Sequence, residues 1–355
     1  MSRDIEFALI GCGRVAPKHV DAVVHTRGAR LTAVCDIEPA RAKRIADPLG
    51  IPAFADMDDM IANVPTIDVA CVLTPSGFHA QHAIRFARHG KHVVVEKPMA
   101  LKLDDADDMI RACERAGVRL FVVKQNRYNP PVKRLHDALL AGRFGKLVMG
   151  TARVRWSRRQ AYYDQDAWRG TWKLDGGVLA NQASHYIDLL TWLLGPVNSV
   201  AAMTATQLVD IETEDTAAVL LRFANGALGV IEATMATRPI DLEGSLSILG
   251  ERASVVIGGF AANELVTWNF ENPTASDSAA IEESRTRPAN VYGFGHRAFV
   301  ENVVRALRGE NAMVVDGIQG RRSLEVISAI YEAVHSKREV ELDCRVQRSR
   351  RGASS

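Results

Sequence analysis

Between Ile5 and Lys124, short runs that are apolar at consecutive positions alternate with longer amphipathic stretches, and nothing else in the chain restricts its fold as much. "IEFALIG", "ARLTAVCD", "IDVACVLT", "KHVVVE" and "VRLFVVK" read as strands. "RVAPKHVDAVVHT", "EPARAKRIADPLG" (closed by Gly50), "FHAQHAIRFARHG" and "LDDADDMIRACERAG" read as helices. Strands such as "VACVL" and "HVVVE" show no polar alternation, which suits parallel strands covered on both faces by helices. Repeated β–α alternation of this kind means a doubly wound α/β sheet.

The pattern changes after Lys124. One helix, "PPVKRLHDALLAG", precedes a long alternating strand, "GKLVMGTARVRW", and a further helix is expected over roughly "GGVLANQASHYIDLLTWLLG", ended by Gly195-Pro196. Strand candidates then follow one another without helices: "VNSVAAMTATQL", "DTAAVLLRFA", "GALGVIEATM", "LEGSLSILG" and "RASVVIGG". Asn225-Gly226 is a strong hairpin turn. The second half is therefore expected to be an α+β domain built on an open, mostly antiparallel sheet, closed by helices near 295–308 and 318–336. The division predicted is 1–123 for the first domain and 124–355 for the second, with a frayed basic tail at about 345–355 rather than a nucleic-acid arm.

With 355 residues there is room for two cores, and 47% hydrophobic with 24% charged residues is ordinary for a globular protein. A net charge of +2 points to no polyanionic partner, so no nucleic acid is expected. Met1 to Asp4 is too short and too charged for a signal peptide, and no apolar stretch approaches the length of a membrane span. Cys12, Cys35, Cys71, Cys113 and Cys344 lack CxxC spacing, so reduced thiols in a cytoplasmic protein and no metal site are expected.

"ALIGCGRVA" places Gly11-x-Gly13-x-x-Ala16 directly after the first strand and at the opening of a helix, with Arg14 and Val15 inside the turn. The first glycine permits the tight turn, the second lets backbone N–H groups approach a pyrophosphate, and the small Ala16 lets the helix pack on the sheet. In a first βαβ unit this is the Rossmann dinucleotide signature. Asp36 ends the second strand about 20 residues later, where a carboxylate accepts hydrogen bonds from the adenosine ribose. It would repel a 2′-phosphate, and Ile37 supplies no compensating cation, so NAD is favoured over NADP. The alternative role for Asp36 is an N-cap for the next helix.

"VVVEKPMAL" ends a buried strand abruptly in Glu96, Lys97 and Pro98. Ligands of open α/β sheets bind beyond the carboxyl ends of the strands, and proline closes the ladder there while setting the direction in which Lys97 leaves it. The first-strand GxGxxA, "TPSGFHAQHA" after the fourth strand and "EKPMAL" after the fifth together resemble the Gfo/Idh/MocA family of sugar and polyol oxidoreductases. The resemblance covers nearly the whole chain. It implies that Lys97 lies beside nicotinamide and substrate, that Glu96 lies near the nicotinamide, and that Thr74, Pro75 and His79 belong to the loop passing along the cofactor. It also implies a catalytic His185 on the helix after Gly176-Gly177. Many members have Asp-x-x-x-His there, whereas this chain has Asn181-x-x-x-His185, which leaves that histidine without the usual carboxylate.

The segment "TARVRWSRRQAYYDQDAWRGTWK" (151–173) carries six positive charges against two negative. Arg153 and Arg155 alternate onto one face of a strand, and Arg158, Arg159, Arg169 and Lys173 are interleaved with Trp156, Tyr162, Tyr163, Trp168 and Trp172. Arginine forks suit phosphate and carboxylate, and aromatic rings stack on a base or sugar. A subunit interface favours the same residue types, and both uses stay open.

"KQNRYNPPVKRLHDAL" with "WRGTWKLDGGVLANQASHYIDLL" is similar to the subgroup that oxidises UDP-2-acetamido-2-deoxy-D-glucuronate at C3, which supplies 2,3-diacetamido uronic acids for bacterial surface polysaccharide such as O-antigen. This resemblance implies that Lys124, Asn126 and Arg127 line the junction of cofactor and sugar and that Trp168 and Arg169 lie near the nicotinamide. Arg155, Arg158, Tyr162, Asn181 and His185 complete the expected substrate site. It further implies recycling of NADH in place by a 2-oxo acid such as 2-oxoglutarate, and a homo-tetramer packed through the open sheet. Either Lys97 or His185 can serve as the base, with Lys97 favoured. The rival expectations are a dehydrogenase of a free sugar, inositol or dihydrodiol, and a non-catalytic NAD-binding regulator.

Overall fold

The computed structural model describes residues 3–283 and 295–342; Cys344 and the basic tail lie outside these. Six parallel strands form the first sheet: β1 (Ile5–Ile10), β2 (Ala29–Cys35), β3 (Ala53–Phe54), β4 (Val69–Val72), β5 (His92–Val95) and β6 (Leu120–Val122). Their order is β3-β2-β1-β4-β5-β6, so the winding reverses between β1 and β4. Helices α1 (Ala16–Val24), α2 (Pro39–Leu49), α3 (Met57–Asn63), α4 (His79–Arg88) and α5 (Leu103–Arg115) connect them. All four residues of β4 are buried, as a strand covered on both faces requires. The two-residue β3 and the seven-residue α3 carry too few residues to show a period and were not anticipated.

After α6 (Pro130–Leu140) the chain builds the second sheet from β7 (Leu147–Arg155), β8 (Val197–Ala205), β9 (Thr216–Phe223), β10 (Leu228–Thr234), β11 (Glu243–Gly250), β12 (Ala253–Gly258), β13 (Glu264–Phe270) and β14 (Val340–Glu341). The order is β13-β12-β11-β7-β10-β9-β8-β14, antiparallel throughout except for the parallel pair β7–β10. Between β7 and β8 lie the one-turn α7 (Gln160–Tyr163) and α8 (Ser184–Leu194), whose Leu189, Leu190, Leu193 and Leu194 share a core with Ala152, Val154, Val219, Leu221 and Ile231 of one sheet face. The opposite face leaves Met203 80% and Leu220 61% exposed.

The helix expected to start near Gly176 begins only at Ser184. In the turns before it, Ala183 N–H reaches back five residues to the Val178 carbonyl, and the Asn181 carbonyl is taken by two side chains, the Lys97 ammonium and the Ser184 hydroxyl.

The one-turn α9 (Ala280–Glu283) lies beside β13, and two longer helices precede the final strand β14. Helix α10 (Gly295–Leu307) returns to the first sheet, placing Phe299, Val300, Val303 and Val304 in one core with Phe7 and Leu9. The next segment follows β6, where Val122 N–H bonds the Val315 carbonyl at 2.8 Å. Helix α11 (Gly317–Ser336) then joins both cores, Leu324 on the first sheet's side and Val326, Ile327 and Ile330 on the second's. The far end of the chain thus completes the cover of the first sheet.

Candidate active site

The turns after β1 and β4 lie side by side at the reversal point, joined by the Leu73 N–H···Ile10 O bond at 2.7 Å. Gly11 has φ +96°, and a Cβ there would lie 2.8 Å from the Leu73 carbonyl carbon, so glycine is required on two counts. Above Gly13 nothing stands within 4 Å of where a Cβ would be. Asp36 accepts from Cys12 N–H at 2.7 Å and Glu38 N–H at 2.9 Å, which locks its carboxylate between the glycine turn and the start of α2. Ile37 beside it is 85% exposed and offers an apolar platform. A close-approach glycine turn, an open second glycine and a fixed carboxylate at the end of β2 are the features a dinucleotide needs.

Arg14 is exposed at this turn, while Val15 precedes α1 and Ala16 is fully buried. Thr74 Oγ1 bonds His82 Nδ1 at 2.9 Å, and Pro75 turns the chain into α4. His79 is buried with one ring nitrogen 2.7 Å from the Thr74 carbonyl and the other 2.8 Å from that of Pro98. It ties two loops together from beneath instead of presenting its ring to a ligand.

At the end of β5, Glu96 and Lys97 diverge. Glu96 turns inward, accepting from His19 Nε2 at 2.8 Å and from the Lys97 backbone N–H at 2.9 Å, with His296 Nε2 3.8 Å away. Burial opposes its charge, but the hydrogen bond from His19 and the nearness of His296 prevail and hold it well below the usual carboxylate range. The Lys97–Pro98 peptide is cis, and the Lys97 side chain crosses to the second domain. Its ammonium donates to the Asn181 carbonyl at 2.9 Å and approaches Asn181 Oδ1 at 3.4 Å. Among the described residues no carboxylate pairs with it. Burial lowers its pKa, Glu96 and Asp175 partly restore it, and Lys124 and Arg169 lower it again.

His185 lies one turn beyond Asn181, with Nε2 3.3 Å from Gln125 Nε2. Burial and the charges of Lys97 and Lys124 hold it well below the usual imidazole range, so it is neutral at physiological pH. Asn126, beside Gln125, is buried, and among the described residues neither its Oδ1 nor Gln125 Oε1 has a hydrogen-bond partner. Unsatisfied buried oxygens of this kind mark a wall that a polar ligand completes.

Lys124 and Arg127 follow a different course. Arg127 makes a bidentate pair with Asp188 of α8, 2.8 Å on each arm, and Lys124 lies 3.5 Å from the same carboxylate and 2.8 Å from Ser323 Oγ. Asp188 is held down to about 2 against burial by these two cations. Both charges are consumed inside the protein, where they fix the helix that bears His185.

The arginine-rich segment separates into two groups. Alternation along β7 puts Arg155 on the face opposite Ala152 and Val154, where Glu232 of β10 and Glu243 of β11 hold it at 2.6–2.7 Å and 3.1 Å. The expectation that Arg155 lines the substrate site is not matched by this placement. Beyond β7 the chain leaves the sheet, and three guanidinium groups converge on Tyr162: Arg14 at 5.6 Å, Arg158 at 5.5 Å and Arg169 at 4.7 Å from its ring centre. Arg169 also donates to the Tyr162 hydroxyl at 2.8 Å and lies over Trp168 at 4.5 Å, and Arg158 pairs with Asp241 at 3.0 Å. Arg41 of α2 approaches Asp166 at 3.7 Å, so the segment reaches the dinucleotide domain.

Two family models match the chain: "Oxidoreductase family, NAD-binding Rossmann fold" over residues 5–124 and "Oxidoreductase family, C-terminal alpha/beta domain" over 136–342. The chain belongs to the Gfo/Idh/MocA oxidoreductase family. Solved structures similar to it include the WlbA dehydrogenase from Bordetella pertussis in complex with NADH and UDP-GlcNAcA, 44% identical with a TM-score of 0.91 over 96% of this chain and 98% of that one. The WlbA dehydrogenase from Chromobacterium violaceum, with the same two ligands, is 44% identical with a TM-score of 0.90 over 97% of each chain. Among curated relatives, a myo-inositol 2-dehydrogenase of Thermotoga maritima is 26% identical over 96% of this chain and 99% of its own. The protein is an NAD-dependent oxidoreductase of a sugar dehydrogenase family.

Several residues of this Gfo/Idh/MocA site carried no warning in the sequence. His19 and His296 meet Glu96 from helices almost 280 positions apart, and Asp188 gathers two cations that looked like ligand contacts. Asp175, next to the glycine pair, bonds the Asn181 amide. Glu214 packs where a Cβ on Gly177 would be, accepts from Leu179 N–H at 3.0 Å and Tyr331 O–H at 2.9 Å, and is pushed up to about 7 by burial. An acid flanking Gly176-Gly177 was the one visible signal; the other partnerships exist only across folded elements. No helix among the described residues is long and apolar enough to cross a membrane.

Proposed function

We propose that this chain oxidises the C3 hydroxyl of UDP-2-acetamido-2-deoxy-D-glucuronate to the 3-oxo sugar, a step towards 2,3-diacetamido uronic acids of bacterial surface polysaccharide. What carries the reading is 44% identity along nearly the full chain to two dehydrogenases solved with NADH and this sugar nucleotide. NAD⁺, when bound, supplies the hydride acceptor. Gly11, Gly13, Asp36 and Ile37, with Thr74 and Pro75, are the residues suited to hold it, and Asn126, Trp168 and Arg169 would flank its far end.

Lys97 is the proposed base. Burial, with no paired carboxylate among the described residues, pushes its pKa down from the ordinary ammonium value, the direction a base that takes a hydroxyl proton needs. A neutral His185, one turn beyond the Lys97 anchor, is suited to orient the same hydroxyl or share its proton. Arg158, Arg169 and Tyr162 form a cationic, aromatic surface fitted to a diphosphate. The exposed apolar residues of the second sheet, Met203 and Leu220 among them, support assembly through that face.

The test is NADH formation by the purified protein with UDP-GlcNAcA against myo-inositol and free sugars, with mass analysis of the product and 2-oxoglutarate added to reoxidise the cofactor. A 3-oxo UDP-sugar acid is expected. Turnover of myo-inositol with silence on UDP-GlcNAcA would favour the polyol reading that the inositol dehydrogenase relatives suggest.

A further inference from the structure

We propose that Asp175 is a positioning residue of the proton-transfer site, supplying through the Asn181 amide the carboxylate that position 181 itself lacks; this deepens the reading of Lys97 as the base and rests on it. Asp175 is 1% exposed. Its Oδ2 accepts from Gly170 N–H at 2.7 Å, and its Oδ1 accepts a short hydrogen bond from Asn181 Nδ2. On the other side of Asn181 stands the Lys97 ammonium, 2.9 Å from the carbonyl oxygen and 3.4 Å from Oδ1.

The chemistry of the three groups admits one arrangement. A carboxylate only accepts hydrogen bonds and an ammonium only donates them. A side-chain amide between the two must turn its NH₂ to Asp175 and its oxygen to Lys97, so Asp175 sets the face that Lys97 meets. An aspartate at 181 would instead confront Asp175 with a like charge in a buried site. The pair Asp175/Asn181 therefore delivers one negative charge, displaced one residue outward from Lys97.

Glu96 and Asp175 favour the charged form of Lys97, Lys124 and Arg169 oppose it, and His79 and His185 are themselves depressed by it. Asp175 is raised by burial, and the Gly170 N–H, Arg169, the Asn181 amide and Lys97 work against that rise. Its charge disfavours ionisation of Glu214 and Tyr163 nearby. Neutralising Asp175 removes one of the two charges that sustain the Lys97 ammonium, so the Lys97 pKa must fall further.

Two measurements on the full chain with NAD bound separate this inference from the functional reading. The first follows the ¹³Cε shift of Lys97 against pH in lysine-labelled protein, assigned with Lys97→Arg, and needs no substrate. Asp175→Asn is expected to lower the midpoint, and Asp175→Asn combined with Asn181→Asp, which moves the charge to position 181, to bring it back. An unchanged midpoint in folded Asp175→Asn overturns the proposal. If that variant does not fold, the double variant decides: a midpoint at or above the parent's supports the proposal, and a lowered one overturns it. The second measurement is kcat/KM for UDP-GlcNAcA against pH. Asp175→Asn should lose about 10²-fold at its best pH, as misplaced catalytic groups do, with the acid limb moved to lower pH, and the double variant should recover both. A merely structural role would lower the rate and leave the limb in place. Absence of turnover in the parent, beside a shifted NMR midpoint, would remove the substrate assignment while leaving the role of Asp175 intact.

Discussion

Two lysines leave neighbouring strands of the first sheet and cross to the same stretch of the second domain; burial lowers the pKa of both, yet they find different partners. Lys124, after β6, meets Asp188 and Ser323 and shares that carboxylate with Arg127. Among the described residues Lys97, after β5, meets only amide oxygens of Asn181, with its nearest helpful charges held one residue away. Lys124 is buried and Lys97 partly so. A buried charge paired with a buried carboxylate is structural, since removing either member leaves the other stranded. A buried cation solvated by amide oxygens alone is poised to give up its proton, which is what a base at neutral pH requires.

That contrast breaks most decisively at Lys97. Lys97→Ala and His185→Asn should each lower kcat by about 10³-fold, the scale of a lost general base, while NADH still binds and the melting temperature stays near that of the parent. Steady-state rates beside fluorescence titration with NADH will show whether binding and chemistry separate. Near-normal turnover in either variant removes that residue from the proton path.

Asp188→Ala tests the other arm. It strands two buried cations and should cost about 3–5 kcal/mol in urea unfolding. Because the Asp188 pKa is depressed to about 2, its contribution is present above the ordinary carboxylate range and is lost as pH falls towards about 2. Acid unfolding of the parent that ignores this variant would mean the Lys124/Arg127 cluster does not hold the helix.

Glu214 sharpens the comparison from beneath the site, with the opposite sign. Its folded pKa is raised from 4.5 to about 7, so the folded state binds the proton more tightly and stability declines as pH rises across that window. The expected decline is about 3 kcal/mol, and Glu214→Gln should flatten it in denaturant titrations at a series of pH values.

The smallest effect belongs to Arg155. Its ion pairs lie on a partly exposed sheet face, so Arg155→Gln should change stability by less than about 1 kcal/mol. It should also leave kcat/KM for UDP-GlcNAcA nearly unchanged in the isolated chain, whereas Arg169→Gln should raise KM. Equal losses in the two variants would erase the distinction between the sheet arginines and those around Tyr162.

The dinucleotide half was readable because its signals are local. Gly11, Gly13, Ala16 and Asp36 act through turn geometry and the end of a strand, and a proline after Lys97 marks where β5 stops. The periodicity of β7 to β12 likewise announced the second sheet, though β13, the two-residue outer strand β14 and the return of α10 to the first core were not anticipated.

What the order of residues determined by itself is therefore the pair of sheets, the glycine turn, the specificity carboxylate and the identity of Lys97 and His185 as the groups to watch. Only the tertiary structure decided which partner each charge finds. Arg127, Lys124 and Arg155 look alike in sequence to Lys97, but all three find carboxylates on Asp188, Glu232 and Glu243 far along the chain, and Arg169 pairs with Asp166 three residues away. The same holds for Asn181, which reads as a lost carboxylate until folding brings Asp175 against it. Backbone conformation follows from neighbours a few residues apart, whereas the ionisation of a buried group depends on every charge and dipole within several ångströms, and that neighbourhood exists only once the chain has closed around it.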